Sequence, residues 1–207
     1  MKIYLTPQEI QQLTLPTLEG KIDIIRDRFI IGCLTGLRFS DYSRVNAEHV
    51  NGNVISILNK KTERRTVIPI HPIVKQIFAK HNGNIPAGPT IRYFNMMLPH
   101  IGLKAKINSV VNIEKKIIIE NGVVWVPKEM AKQLEENGVV SYNVPKHDLI
   151  TTHTARRSFA TNAYKAGIPT KSIMLITGHS TEEAFFRYIR IGEEENATEL
   201  MNHKFFQ

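Results

Sequence analysis

Between Lys21 and Leu34 the apolar residues fall at positions 22, 25, 29, 30, 33 and 34. That helical spacing predicts a central buried helix ending near Gly36. Ahead of it, Thr6-Pro7-Gln8-Glu9 forms a capping box with proline at the first helical position, which predicts a short helix from about Pro7 to Leu13. After Gly36 a short helix is expected to restart with Ser40 as its cap and Asp41 in the first turn. The period then changes. Asn51-Gly52-Asn53 is a hairpin signal before Val54–Leu58, and Thr66–Ile70 reads as a further strand, so a small antiparallel sheet is expected. His71-Pro72 opens a helix through Ile73, Ile77 and Phe78 to about Lys80. A Gly/Pro-rich loop over 82–89, which could carry the chain around a substrate, leads to a helix over Thr90–Leu103 with an interruption expected at Pro99.

The middle third is less regular. Lys115–Val126 reads as a second hairpin turning at Asn121-Gly122, Pro127–Asn137 as a solvated helix, and Val139–Ile150 as an irregular return. Thr152 or Thr154 then caps a helix with Phe159 and Ala163 on its apolar face, stopped by Gly167 and Pro169. Thr170–Thr177 forms a short helix with Ile173, Leu175 and Ile176 turned inward and Gly178 ending it. Thr181 caps a last helix bearing Ala184, Phe185, Phe186, Tyr188 and Ile189. The expected class is mainly α with small antiparallel β-sheets (α+β), in one domain.

Composition excludes several alternatives. With 207 residues, 42% hydrophobic and 22% charged, the chain can bury one core and is not a disordered segment. Cys33 is the single cysteine and lies in an apolar run, which excludes a disulfide framework and fits a reduced, cytoplasmic setting. No apolar run approaches the roughly 18 residues of a membrane helix, and Met1–Leu5 leads into a helix signal instead of a secretion signal. Lys plus Arg total 27 against 19 for Asp plus Glu, a formal +8, so an anionic partner such as nucleic acid is indicated.

The chemistry concentrates in Thr152–Asn162. His153 and Arg156, three apart, share one side of the first turn beside unpaired backbone N–H groups, where a phosphate would sit. Taken singly, each candidate has an ordinary reading. Arg38 is a turn arginine, Lys61 one of four cations at the Asn59–Arg65 tip, His179 a residue at a helix end and Tyr188 a core aromatic. Together, Arg38, Lys61, His153, Arg156, His179 and Tyr188 supply guanidinium forks for phosphate oxygens, proton-transfer groups and a hydroxyl nucleophile. That is a phosphoryl-transfer inventory needing no metal and no cofactor, and no carboxylate cage for a metal is legible in the sequence.

These residues resemble the catalytic domain of tyrosine recombinases, the phage-integrase family. The likeness lies in Thr35-Gly36-Leu37-Arg38 with Asp41 three places on, Lys61 on the hairpin, His153-x-x-Arg156, Gly178-His179, and Tyr188 nine residues after that histidine, all in family order from Leu5 to about Met201. The run around Thr152–Asn162 is most similar to integrases of mobile genetic elements. The resemblance implies a catalytic domain over 1–207, with the N-terminal core-binding and arm-binding domains absent from this chain. It implies that Tyr188 attacks a phosphodiester of double-stranded DNA to leave a 3′-phosphotyrosyl bond and a 5′-hydroxyl. Arg38 and Arg156 then clamp the phosphate, Lys61 protonates the leaving oxygen, His153 and His179 assist, and Asp41 orients Arg38. It implies a homo-oligomer on DNA, a tetrameric synapse, in which the segment after Tyr188 docks on a neighbouring protomer. The competing readings are a type IB topoisomerase and a non-catalytic DNA-binding regulator. The 107–142 insertion follows no pattern of the family.

Overall fold

The computed structural model describes residues 3–116, 139–189, 191–192, 197–198, 200–201 and 204–206. Helix α1 spans Pro7–Gln12, and both halves of the predicted capping box form: Thr6 Oγ1 accepts from Glu9 N at 3.2 Å and Glu9 Oε2 accepts from Thr6 N at 2.8 Å. Helix α2, Gly20–Thr35, is the axis of the domain and packs on α3 (Phe39–Tyr42), α4 (Pro72–Lys80), α5 (Ile91–Lys104) and α6 (Thr152–Lys165).

Because neighbours surround it, α2 is buried on nearly every side from Ile25 to Thr35, where the sequence shows one apolar stripe. The charged residues of this stretch, Arg26, Asp27 and Arg28, are consequently buried and hydrogen-bonded. Arg28, 1% exposed, donates to the carbonyls of Ile85 (2.7 Å), Pro86 and Val45, and burial lowers its pKa to about 10. Those bonds tie residues 85 and 86 of the 82–89 loop to the core. Asp27 receives Arg26 Nε at 2.9 Å and Lys80 Nζ at 2.7 Å, with His81 Nε2 also at 2.7 Å. This satisfies the rule that a buried charge must be matched.

Helix α2 passes closest to α3 and α6 at Gly32, where an added Cβ would meet the Tyr42 ring at 2.8 Å and Ala155 at 3.0 Å. Gly36 ends the helix in the left-handed region at φ 66°, donating its N–H to Gly32 O at 3.1 Å. Helix α3 starts one residue before the expected cap. Arg38 is the N-cap residue and Ser40 lies within the helix, because the Arg38 carbonyl receives both Asp41 N and Tyr42 N at 2.8 Å. Helix α5 runs without interruption through Pro99, whose ring sits partly exposed. On the same helix the Asn95 side chain accepts from Thr152 N at 2.9 Å.

Strands β1 (Val50–Asn51), β2 (Val54–Leu58) and β3 (Arg65–Pro69) form the expected antiparallel sheet in the order β1-β2-β3, with Val54 opposite Pro69 and Leu58 opposite Arg65. A second ladder was not foreseen. Strand β4, Val110–Lys116, pairs antiparallel with β5, Val139–Pro145, with Lys116 opposite Val139. Lys115 and Lys116 therefore bond across to 139–140, and Val139–Pro145 is a strand where an irregular return was expected. The Asn121-Gly122 turn and the Pro127–Asn137 helix lie outside the described residues.

Helix α6 begins earlier than predicted, with Thr151 as N-cap residue. Ser158 and Asn162, one turn apart, hold the incoming N-terminal segment through Leu5 N (2.8 Å) and Leu5 O (2.9 Å). Helix α7 is Thr170–Thr177 and α8 is Glu182–Phe186. With α6 they enclose a small satellite core of Ala160, Ala163, Ile173 and Phe185, separate from the main core around α2. Leu175 is 79% exposed, contrary to the inward position expected, because two residues from buried Ile173 place it on the opposite face of α7. No helix among the described residues is long and apolar enough to cross a membrane.

Candidate active site

All six predicted site residues line one cleft of about 440 Å³, together with Leu37, Phe39, Ser40, Ile91 and Thr152. They arrive from four places: the α2–α3 corner (Arg38), the β2–β3 tip (Lys61), the first turns of α6 (His153 and Arg156) and the segments flanking α8 (His179 and Tyr188).

Arg156 is 5% exposed and is aimed by a bond from Nη1 to Gly36 O at 2.8 Å, so the carbonyl freed at the end of α2 sets the guanidinium. Burial first, then Arg38, lowers its pKa to about 10, which leaves it charged at neutral pH. Arg38 is half-buried and lies across Gly178, where an added Cβ would sit 3.6 Å from both terminal nitrogens. His153 is exposed, one turn from Arg156. The anion site expected at bare N–H groups is different in detail: Asn95 takes Thr152 N, Thr154 N bonds to Thr151 O at 2.8 Å, and the cations themselves face the cleft.

His179 is held by a residue that the sequence reading did not single out. Thr177 Oγ1 donates to Ile173 O at 2.7 Å, leaving a lone pair for His179 Nδ1–H at 2.9 Å. The ring thus presents Nε2 as an acceptor. Burial, then Arg156 and Arg38, lowers the His179 pKa to about 4, so the imidazole is neutral at pH 7. Its ring lies 4.6 Å from that of Tyr188. The Tyr188 ring is also flanked by two guanidiniums, Arg156 at 5.9 Å and Arg157 at 6.0 Å from the centroid. Arg157 was overlooked as the second of two adjacent arginines. A threonine two residues before a Gly-His helix end was the available signal for Thr177.

Lys61 lines the cleft whereas Lys60 does not. Asp41, fully buried, was expected to orient Arg38. Its hydrogen bonds run to Lys60 N (2.9 Å) and Arg44 Nη2 (3.3 Å), and its Oδ2 has no hydrogen-bond partner among the described residues. A second cleft of about 400 Å³ shares His179 and is lined by Arg64, Arg65 and Lys171, so positive charge continues beyond the site. The fold also brings Asp23, Asp27 and His81 within 4.8 Å of one another, a grouping invisible in sequence. Lys80 already bridges both carboxylates, and none of the three lines the cleft.

No protein-family profile matches this sequence, and no curated protein matches it. Solved structures do. The chain aligns over 99% of its length with XerA recombinase at 14% identity and a TM-score of 0.65, covering 64% of that chain. It aligns over 98% with a Tn1549 transposon integrase in complex with a circular intermediate DNA, at 18% identity and a TM-score of 0.56, covering 66% of that chain. With the XerH site-specific recombinase bound to a palindromic difH substrate the figures are 96%, 12% and 0.61, covering 52%. The chain has the tyrosine recombinase catalytic-domain fold, and it spans half to two thirds of the length of these structures.

Proposed function

We propose that this chain is the catalytic domain of a site-specific DNA recombinase, an integrase, in which Tyr188 is the nucleophile. The observation that carries the reading is the convergence of Arg38, Lys61, His153, Arg156, His179 and Tyr188 on a single cleft from four separated segments. In the proposed reaction the Tyr188 oxygen forms a bond to phosphorus while the bond from phosphorus to the 5′ oxygen breaks. The product is a 3′-phosphotyrosyl linkage and a 5′-hydroxyl, and attack by a second 5′-hydroxyl reverses the step on a new partner. Arg38 and Arg156 hold the non-bridging oxygens and stay charged as negative charge grows on them. A preorganised donor of this kind contributes about 3–4 kcal/mol to the transition state. Neutral His179 offers Nε2 as an acceptor for the phenolic proton, His153 assists from the rim, and Lys61 protonates the departing 5′ oxygen. The cleavage runs without metal or cofactor because the cations supply the charge stabilisation. The DNA-bound enzyme works as a homo-oligomer, a tetrameric synapse, in the cytoplasm.

The test is covalent capture. Incubation with a pool of randomised duplexes nicked near the cleavage position, followed by a denaturing gel and sequencing of the junction, is expected to yield an adduct through Tyr188 that survives EDTA. Tyr188→Phe is expected to give none. An adduct formed by Tyr188→Phe removes the assigned nucleophile, and DNA binding with no adduct from the wild type assigns a non-catalytic regulator. Plasmid relaxation without exchange between two sites assigns a topoisomerase.

A further inference from the structure

Lys61 sits on an exposed tip, yet a proton donor must be placed to within a fraction of an ångström. Most hydrogen bonds of the tip are internal. Glu63 N reaches Asn59 O at 2.9 Å, Asn59 N reaches Arg64 O at 3.0 Å, and buried Asn59 donates through Nδ2 to Arg64 O and Thr66 Oγ1. These bonds fix the shape of the tip but not its place. Two side chains of the α3 segment fix its place. Asp41 Oδ1 accepts from Lys60 N at 2.9 Å, and Arg44 Nη2 donates to Leu58 O while also lying 3.3 Å from Asp41 Oδ1. Together they grip the tip on both sides of Asn59, at Leu58 and at Lys60, the latter one residue before Lys61.

We propose that Arg44, acting with Asp41, is a positioning residue that sets Lys61 over the cleft. This rests on the reaction proposed above. Asp41 is fully buried, its Oδ2 has no hydrogen-bond partner among the described residues, and Arg44 is its ion-pair partner at the hinge of the tip. Without Arg44 the carboxylate keeps Arg156 within electrostatic reach on the cleft side, and the balance that holds it toward Lys60 N is lost. The tip then loses its tie to the α3 segment at Leu58 and is held less firmly at Lys60, and Lys61 moves off the 5′ oxygen. The proton it would have given must come from water.

The experiment is single-turnover cleavage of the duplex whose junction has been sequenced, made with either oxygen or sulfur at the bridging 5′ position. A thiolate leaves without a proton, so only the oxygen substrate reports on the acid. Arg44→Ala and the packing-conserving Arg44→Met are expected to slow the oxygen substrate about 10²-fold, the cost of a roughly 1 Å misplacement. They leave the sulfur substrate almost unchanged. Arg44→Lys recovers most of the loss, and Arg44→Ala combined with Lys61→Ala is no slower than Lys61→Ala alone. Equal slowing on both substrates, or additive losses in the double variant, overturns the proposal. Amide exchange at Lys60 is read without DNA and is expected to rise in Arg44→Met; unchanged exchange also overturns it. A wild type that forms no adduct on either substrate fails the proposed reaction, an outcome distinct from an active enzyme indifferent to Arg44.

Discussion

Replacing His179 by glutamine removes a titration that the fold has displaced, and the displacement has a calculable effect on stability. In the unfolded chain the imidazole takes a proton near pH 6.5; in the folded chain burial, then Arg156 and Arg38, hold it off until about pH 4. Between those values the unfolded state binds the extra proton, so acid favours unfolding. The contribution is intact above pH 6.5 and is lost as pH falls toward 4. One pKa unit is worth 1.36 kcal/mol, which sets a ceiling of about 3 kcal/mol. The ring is only partly buried, and solvent screening reduces the effect to roughly 1–2 kcal/mol. Urea unfolding of wild type and His179→Gln at pH 7, 6, 5 and 4.5 is expected to show a difference between the proteins that shifts against the wild type by that amount as pH falls. Nitrogen-detected spectra of the imidazole should show the Nδ1–H tautomer down to about pH 5, and Thr177→Val should abolish that preference. A difference independent of pH, or an imidazole titrating at 6.5, refutes the burial and charge argument.

Other outcomes follow from the same structure. Gly36→Ala places a Cβ 2.3 Å from the Phe159 ring at a backbone φ of 66°, and the left-handed strain plus overpacking should cost about 2–5 kcal/mol by chemical denaturation. Because Gly36 O aims Arg156, the loss should extend to cleavage. The +8 charge predicts weak binding to duplex DNA by this chain, on the order of 10⁻⁴ to 10⁻⁶ M and falling steeply between 50 and 200 mM salt in a titration by anisotropy. Tight, salt-insensitive binding would contradict it. Leu200, Met201, Phe205 and Phe206 are between 41% and 81% exposed, so they do not cap their own core. Deleting 197–207 should therefore spare cleavage and impair strand exchange between protomers, measured side by side.

Local rules determined a good deal of this protein. The Thr6–Glu9 capping box, the glycine stops at 36 and 178, and Thr170–Thr177 appear at the residues where the sequence placed them, because each depends on bonds made within a few residues. The six residues that the fold gathers in one cleft stood out for a different reason. Arginine, lysine, histidine and tyrosine advertise their chemistry wherever they stand, and their order along the chain carried the family likeness.

Interactions over long sequence distance were not legible. The pairing of 110–116 with 139–145 joins strands separated by more than twenty residues, and nothing in either strand names its partner. Asp27 and Arg28 lie outside the apolar stripe of α2, yet neighbours close over them, and burial forces each to find carbonyls or cations. Asp41 shows the limit most clearly. Its spacing from Arg38 was visible, but the direction of its carboxylate was decided by where β2 and β3 brought Lys60 N and Leu58 O, a choice that exists only after the sheet has docked on α3.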